Sequence, residues 1–113
     1  MESALHRFKA EFFKALSHPL RLAMLDALRT GEKSVGQLVV ELEADQPAVS
    51  QQLSILRQRG FVETRKEGTT VFYRTADPDV YAFLDLGRAI FKRQLAQPGA
   101  VLAQIRQEGE AES

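Results

Sequence analysis

The sequence predicts a mostly α-helical (α+β) domain with a single two-stranded β-hairpin. Three observations predict it. Four stretches before residue 60 and one after residue 77 repeat their apolar residues with a helical period. From Val62 to Thr75 the period drops to two around a Glu67-Gly68-Thr69 turn. Capping and breaking residues punctuate the helical stretches so closely that each helix must be short.

The elements follow in order. Leu5, Phe8, Phe12, Ala15 and Leu16 line one side of a first helix, which Ser17-His18-Pro19 interrupts, because the residue before a proline is pushed out of helical geometry. Leu20, Ala23, Met24, Ala27 and Leu28 give a second helix, ending near Thr30-Gly31. Ser34-Val35-Gly36-Gln37 is a capping box for a third helix, 35–42, with Leu38 and Leu42 turned inward. Beyond Glu43-Ala44, Asp45 is a good N-cap, Pro47 sits in a first turn and Gly60 stands where a left-handed C-cap is wanted. The helix between them buries Val49, Leu53 and Leu56. Its opposite side carries Gln46, Ser50, Gln51, Ser54 and Gln58, uncharged groups that donate and accept hydrogen bonds. Two short helices joined by so brief a turn form a helix-turn-helix, whose second helix is the reader.

Next comes the hairpin, which in a DNA-binding context is a wing. Its Val62, Val71 and Tyr73 are expected to pack on the helices, with Arg65, Lys66 and the turn projecting. Asp77-Pro78 starts a last long helix to about Gln97. Tyr81, Leu84, Phe91 and Leu95 line one face of it, and Phe83, Leu86 and Ile90 widen that face. Pro98-Gly99 breaks it, and Val101, Leu102 and Ile105 suggest a short final segment. The expected architecture is thus a winged helix-turn-helix of five to six helices, its hairpin lying between the reader and the last long helix. At 113 residues, 44% hydrophobic and 27% charged, one domain over 1–107 is expected, with an acidic, disordered tail at 108–113.

Composition removes several functions. There is no cysteine, hence no disulfide, thiol catalysis or thiolate metal site. No apolar run spans a bilayer and the N-terminus lacks a secretory pattern, so a cytoplasmic location is expected. Net charge is zero, yet the stretch from Gln46 to Arg74 carries Arg57, Arg59, Arg65, Lys66 and Arg74 against Glu63 and Glu67, a local +3 that suits nucleic acid. Its counterweight lies elsewhere, notably in Glu108, Glu110 and Glu112.

In four blocks the chain resembles the ArsR-type winged-helix repressors. These are Ala15-Leu-Ser-His-Pro-Leu-Arg-Leu-Ala-Met-Leu25, Ser34-Val-Gly-Gln-Leu38, Gln46-Pro-Ala-Val-Ser-Gln-Gln-Leu-Ser-Ile-Leu-Arg57, and Gly60-Phe-Val-Glu-Thr-Arg65 with Glu67-Gly68 and Tyr73-Arg74. The resemblance implies a homodimeric repressor that binds an operator near its own or a neighbouring promoter. It carries over to Gln46, Ala48, Ser50, Gln51 and Ser54 as groove-facing positions, with Pro47 beside them in the DNA-binding set. The chemistry agrees, since glutamine pairs bidentately with adenine, serine takes a base edge or phosphate, and Ala48 can pack on a thymine methyl. Arg57 and Arg59 at the helix end and Arg65, Lys66, Thr69 and Arg74 on the hairpin are the candidates for phosphate or minor-groove contacts, although Arg57 and Arg59 could simply complement the helix dipole. Arg65 and Lys66 point to opposite strand faces, so one of the two is expected on DNA.

Metal sensing, common in that family, is not expected. Leu38-Val39-Val40-Glu41 stands where a thiolate pair would be sought, and the last helix has Asp79 and Asp85 but no histidine. His18 is read as a capping or packing residue, and His6 has no assigned role. No cofactor is expected.

Leu5, Phe8 and Phe12 with Leu84, Phe91 and Leu95 are more apolar surface than a small domain hides, which predicts a two-fold dimer. Gly87 would let a partner helix cross closely. Such a dimer sets two readers about 34 Å apart, matching an inverted-repeat operator in double-stranded DNA. The competing reading is a winged helix that docks a protein partner without specific DNA binding. An enzyme is disfavoured because there is no cysteine, no histidine near a plausible acid, no glycine-rich phosphate loop and no metal-ligand spacing. Whether a small molecule or protein effector acts as inducer stays open.

Overall fold

The structure, a computed structural model, describes residues 3–97 together with Gly99 and Arg106. Two compact units divide between Pro78 and Asp79. The first holds α1 (Ala4–Leu16), α2 (Pro19–Leu28), β1 (Lys33–Ser34), α3 (Val35–Leu42), α4 (Gln46–Gln58), β2 (Val62–Glu67) and β3 (Thr70–Thr75); the second holds α5 (Val80–Leu95).

Side-chain caps start α1 to α4, and backbone hydrogen bonds close them. Ser3 Oγ accepts the His6 N–H at 3.0 Å to start α1, and the Lys14 carbonyl accepts the Ser17 N–H at 3.2 Å to end it. His18 then caps α2, its Nδ1 accepting the Leu20 N–H at 3.1 Å, with Pro19 in the first turn. The capping box is complete: Ser34 Oγ accepts the Gln37 N–H at 3.2 Å and Gln37 Oε1 accepts the Ser34 N–H at 2.9 Å. Ser34→Ala leaves a first-turn N–H of α3 uncapped and is expected to lower stability by about 1 kcal/mol in urea denaturation. Glu43 closes α3 in the left-handed region at φ 51°, which turns the chain directly into α4.

Met24 and Leu25 of α2, Leu38 of α3, and Val49, Leu53 and Leu56 of α4 are completely buried. They form the core where α2, α3 and α4 meet, and α4 contributes half of them.

The sheet corrects the expected strand count. It has three antiparallel strands in the order β1-β3-β2, because Lys33 and Ser34 pair with Tyr73 and Phe72. Two residues are too few to show a period, so β1 is invisible in the sequence; the same Ser34 that caps α3 ends this strand. Across β2 and β3, Val62 faces Thr75, Thr64 faces Tyr73, and Lys66 faces Val71 on one side. Burial along that side fades from Val62, which is buried, to Val71, which is 36% exposed. Val71 was expected to pack on the helices with Val62 and Tyr73. It lies instead near the hairpin tip, beside the exposed Lys66.

The last helix also departs from expectation. It begins at Val80, not at Asp77-Pro78, and ends at Leu95, short of Gln97. Asp79 holds the N-cap place with helical dihedrals, and its carbonyl accepts the Ala82 N–H at 3.0 Å, so the entry is a tight i→i+3 turn. The expected segment at Val101, Leu102 and Ile105 and the acidic tail lie outside the described residues.

Candidate nucleic-acid interface

The reader helix α4 is fixed at both ends. Asp45 accepts the Ala48 N–H at 2.8 Å. At the other end the Gly60 N–H reaches the Arg57 carbonyl at 3.1 Å and the Phe61 N–H reaches the Leu56 carbonyl at 2.8 Å, with Gly60 at φ +83°. This is a Schellman close, and Leu56 and Phe61 supply the hydrophobic contact that goes with it. Phe61, which belongs to neither the helical nor the strand repeat, also packs its ring 5.2 Å from that of Phe12 on α1. Glu11 of α1 holds Arg59 at 3.1 Å. The first helix therefore braces the end of the reader.

With Val49, Leu53 and Leu56 turned inward, Gln46, Pro47, Gln51, Ser54, Arg57 and Gln58 are exposed. Ala48 and Ser50 sit half-buried on the flanks. Pro47, Gln51, Ser54 and Gln58 follow at i, i+4, i+7 and i+11, a single outward stripe with no charge on it.

The basic cluster is more heavily committed than its sequence suggests. Arg74 is held by Glu63 at 2.7 Å across the hairpin, and Arg59 by Glu11. Arg65 donates to Glu32 from two nitrogens, Nε at 3.1 Å among them, and to Glu67 at 3.0 Å, with its guanidinium carbon 5.0 Å from the centre of the Phe72 ring. These contacts hold the Glu32 carboxyl below the usual carboxylate range, chiefly through the Arg65 hydrogen bonds, and hold Arg65 above its ordinary value. By contrast Arg57 and Lys66 are exposed and, among the described residues, take part in no ion pair. Thr69 lies in the exposed turn between β2 and β3. Glu32 had no signal in the sequence: its partner lies 33 residues away.

Each unit also exposes apolar side chains. On α1, Leu5 is 58% and Phe8 65% exposed, with Phe13, which the first-helix period omitted, also exposed; Phe12 is half-buried. On α5, Phe91 is 46% exposed, as are Phe83, Leu86 and Ile90 to similar degrees, while Leu84 and Leu95 are half-buried. A Cβ added at Gly87 would meet no atom within 4 Å, so packing within the described chain does not demand glycine there. Among the described residues no three histidine, aspartate or glutamate side chains converge on a point that could hold a metal, and no helix is long and apolar enough to cross a membrane.

A sequence model described as "Bacterial regulatory protein, arsR family" matches residues 18–64, from the cap of α2 through the reader into β2. The chain is 41% identical to an uncharacterized HTH-type transcriptional regulator of Mycobacterium tuberculosis, Rv0081, over 98% of this chain and 99% of that one. The crystal structure of that protein superposes with a TM-score of 0.74 at 36% identity, covering 84% of this chain and 96% of the other. A biofilm growth-associated repressor of Agrobacterium fabrum is 43% identical over 73% of this chain and 70% of its own. A homodimeric winged helix-turn-helix DNA-binding domain of Mycobacterium bovis, solved by NMR, superposes with a TM-score of 0.71 at 34% identity, covering 81% and 85% of the two chains.

Proposed function

The chain belongs to the arsR family of bacterial regulatory proteins, and we propose that it is a homodimeric transcriptional repressor that reads an inverted-repeat operator in double-stranded DNA. The observation that carries the reading is the uncharged outward stripe of a helix capped at both ends and rooted in the core, with unpaired cations at its end and on the wing. Gln46, Gln51 and Ser54 take base edges, with Pro47, Ala48 and Ser50 lining the approach. Arg57, Lys66 and Thr69 take phosphates. A second copy covers the exposed apolar faces of α1 and α5 through Leu5, Phe8, Phe12, Leu84, Gly87, Phe91 and Leu95, so that two readers meet one duplex. Repression follows from occupying a promoter, in the cytoplasm where the DNA is, and requires no catalytic residue. Repressors among the named relatives support the sign of the effect, while one relative, from Vibrio cholerae, is named a transcriptional activator, and a reporter assay separates the two.

The test is fluorescence anisotropy with DNA from upstream of the protein's own gene against random DNA, paired with a reporter driven by that DNA. Tighter binding to the upstream DNA and a reporter silenced by the protein are expected. Equal binding to both, or a reporter that rises, overturns the reading. Arg57 and Lys66, exposed and in no ion pair among the described residues, would make four phosphate contacts per dimer, so the slope of log affinity against log salt is expected near −3 to −4, roughly. Gln51→Ala is expected to lower discrimination by about 1–3 kcal/mol at one base pair of each half-site while leaving that slope alone. Lys66→Ala should do the opposite, weakening all sequences alike and flattening the slope by about 2 for the dimer.

A further inference from the structure

Arg65 lies on β2, an edge strand of the sheet, and its register partner is Phe72 on the central β3, whose own partner on the far side is Ser34 on β1. The three residues form one row across the sheet. The Arg65 side chain leaves this row over the Phe72 ring and ends on Glu32, the residue just before β1 and two before Ser34. Glu67, on the same face of β2, takes the remaining fork nitrogen.

We infer that the Arg65–Glu32 pair is a strap that fixes the angle of the wing to the helix-turn-helix, making Arg65 a positioning residue and leaving the phosphate contact to Lys66. The inference rests on the DNA-reading function proposed above.

Three features support it. The hairpin beyond Thr64 has little else to hold it: Arg65 through Val71 are all exposed, and a two-stranded ribbon is marginal alone. The anchor, by contrast, is fixed. Glu32 adjoins Lys33, which pairs with Glu41 of α3, and Ser34, which closes the capping box of the same helix. A wing tied to Glu32 is therefore indexed to the first helix of the helix-turn-helix. Finally, arginine suits this geometry, because its planar fork directs hydrogen bonds to two acids at once and stacks flat on an aromatic ring, whereas the lysine ammonium is a point charge on a flexible stem.

Opposite signs separate the strap from a direct phosphate contact. Removing the negative charge of Glu32 strengthens DNA binding if Arg65 contacts phosphate, because it frees a cation and removes a repelling acid. It weakens binding if the pair positions the wing. In the full chain, Glu32→Gln and Arg65→Lys are expected to weaken operator binding roughly threefold to tenfold, with the salt slope unchanged and the double variant no worse than either single one. Amide exchange at residues 66–71 of the DNA-free protein is expected to rise in both variants. Tighter binding by Glu32→Gln, wild-type affinity in Arg65→Lys, or unchanged exchange at the tip would each overturn the strap. Failure of the wild-type chain to prefer its operator counts against the DNA-reading function. The exchange measurement judges the strap even then.

Discussion

Phe91→Glu is expected to turn a dimer into a monomer of 12.7 kDa and to lower operator affinity by about 100-fold or more. Phe91 is 46% exposed on α5, so a carboxylate there costs the single chain little. Against a second copy the same carboxylate would be desolvated without a partner, which costs several kcal/mol. The loss in DNA binding then follows from geometry rather than from contacts to bases. A reader with four uncharged groups and few cations binds one half-site weakly, and the pairing of two readers at high effective concentration supplies the rest. Phe8→Glu on α1, at 65% exposure, is expected to behave likewise. Light scattering reads the mass and anisotropy reads the affinity. A variant that stays dimeric would place the interface elsewhere, and one that becomes monomeric but keeps its affinity would remove the two-fold from the mechanism.

Leu53→Ala is expected to lower unfolding stability by about 2–5 kcal/mol and the melting temperature by roughly 10 °C or more. Leu53 is completely buried at the centre of the inward stripe of α4, the helix that packs against α2 and α3. Truncation there removes buried apolar surface and leaves a cavity. For a chain of this size that is a large share of total stability. Because the same helix supplies half of the fully buried side chains and the whole reading stripe, the variant should lose affinity and thermal stability together. A specific ligand-bound melt, with operator DNA present, should recover part of the loss by mass action.

What the sequence revealed was whatever is local. The Ser34–Gln37 box, the Asp45 cap, the Gly60 close and the inward Val49-Leu53-Leu56 stripe each involve residues within about one or two helical turns, so spacing alone specifies them. Non-local partners stayed hidden. β1 exists because Lys33 and Ser34 meet a strand some forty residues later, and nothing in two residues announces a strand. Strand alternation assigned Val71 to the right face but could not tell how far the helices extend beneath it. The basic patch was legible as a sum of charges, yet Arg59, Arg65 and Arg74 spend theirs on Glu11, Glu32, Glu67 and Glu63, acids drawn mostly from other elements. Of the hairpin bases, Lys66 is left exposed and unpaired among the described residues, which shifts the expected phosphate contact from Arg65 to its neighbour.

The central claim is that two copies of the α4 stripe read one duplex. Selection of bound sequences from a random double-stranded DNA pool by the full chain tests it most directly, since the enriched set reports specificity, symmetry and spacing at once. The expected result is an inverted repeat with half-site centres about one helical turn, or 10 base pairs, apart. Enrichment of no sequence, or of a single half-site without a two-fold mate, would contradict it.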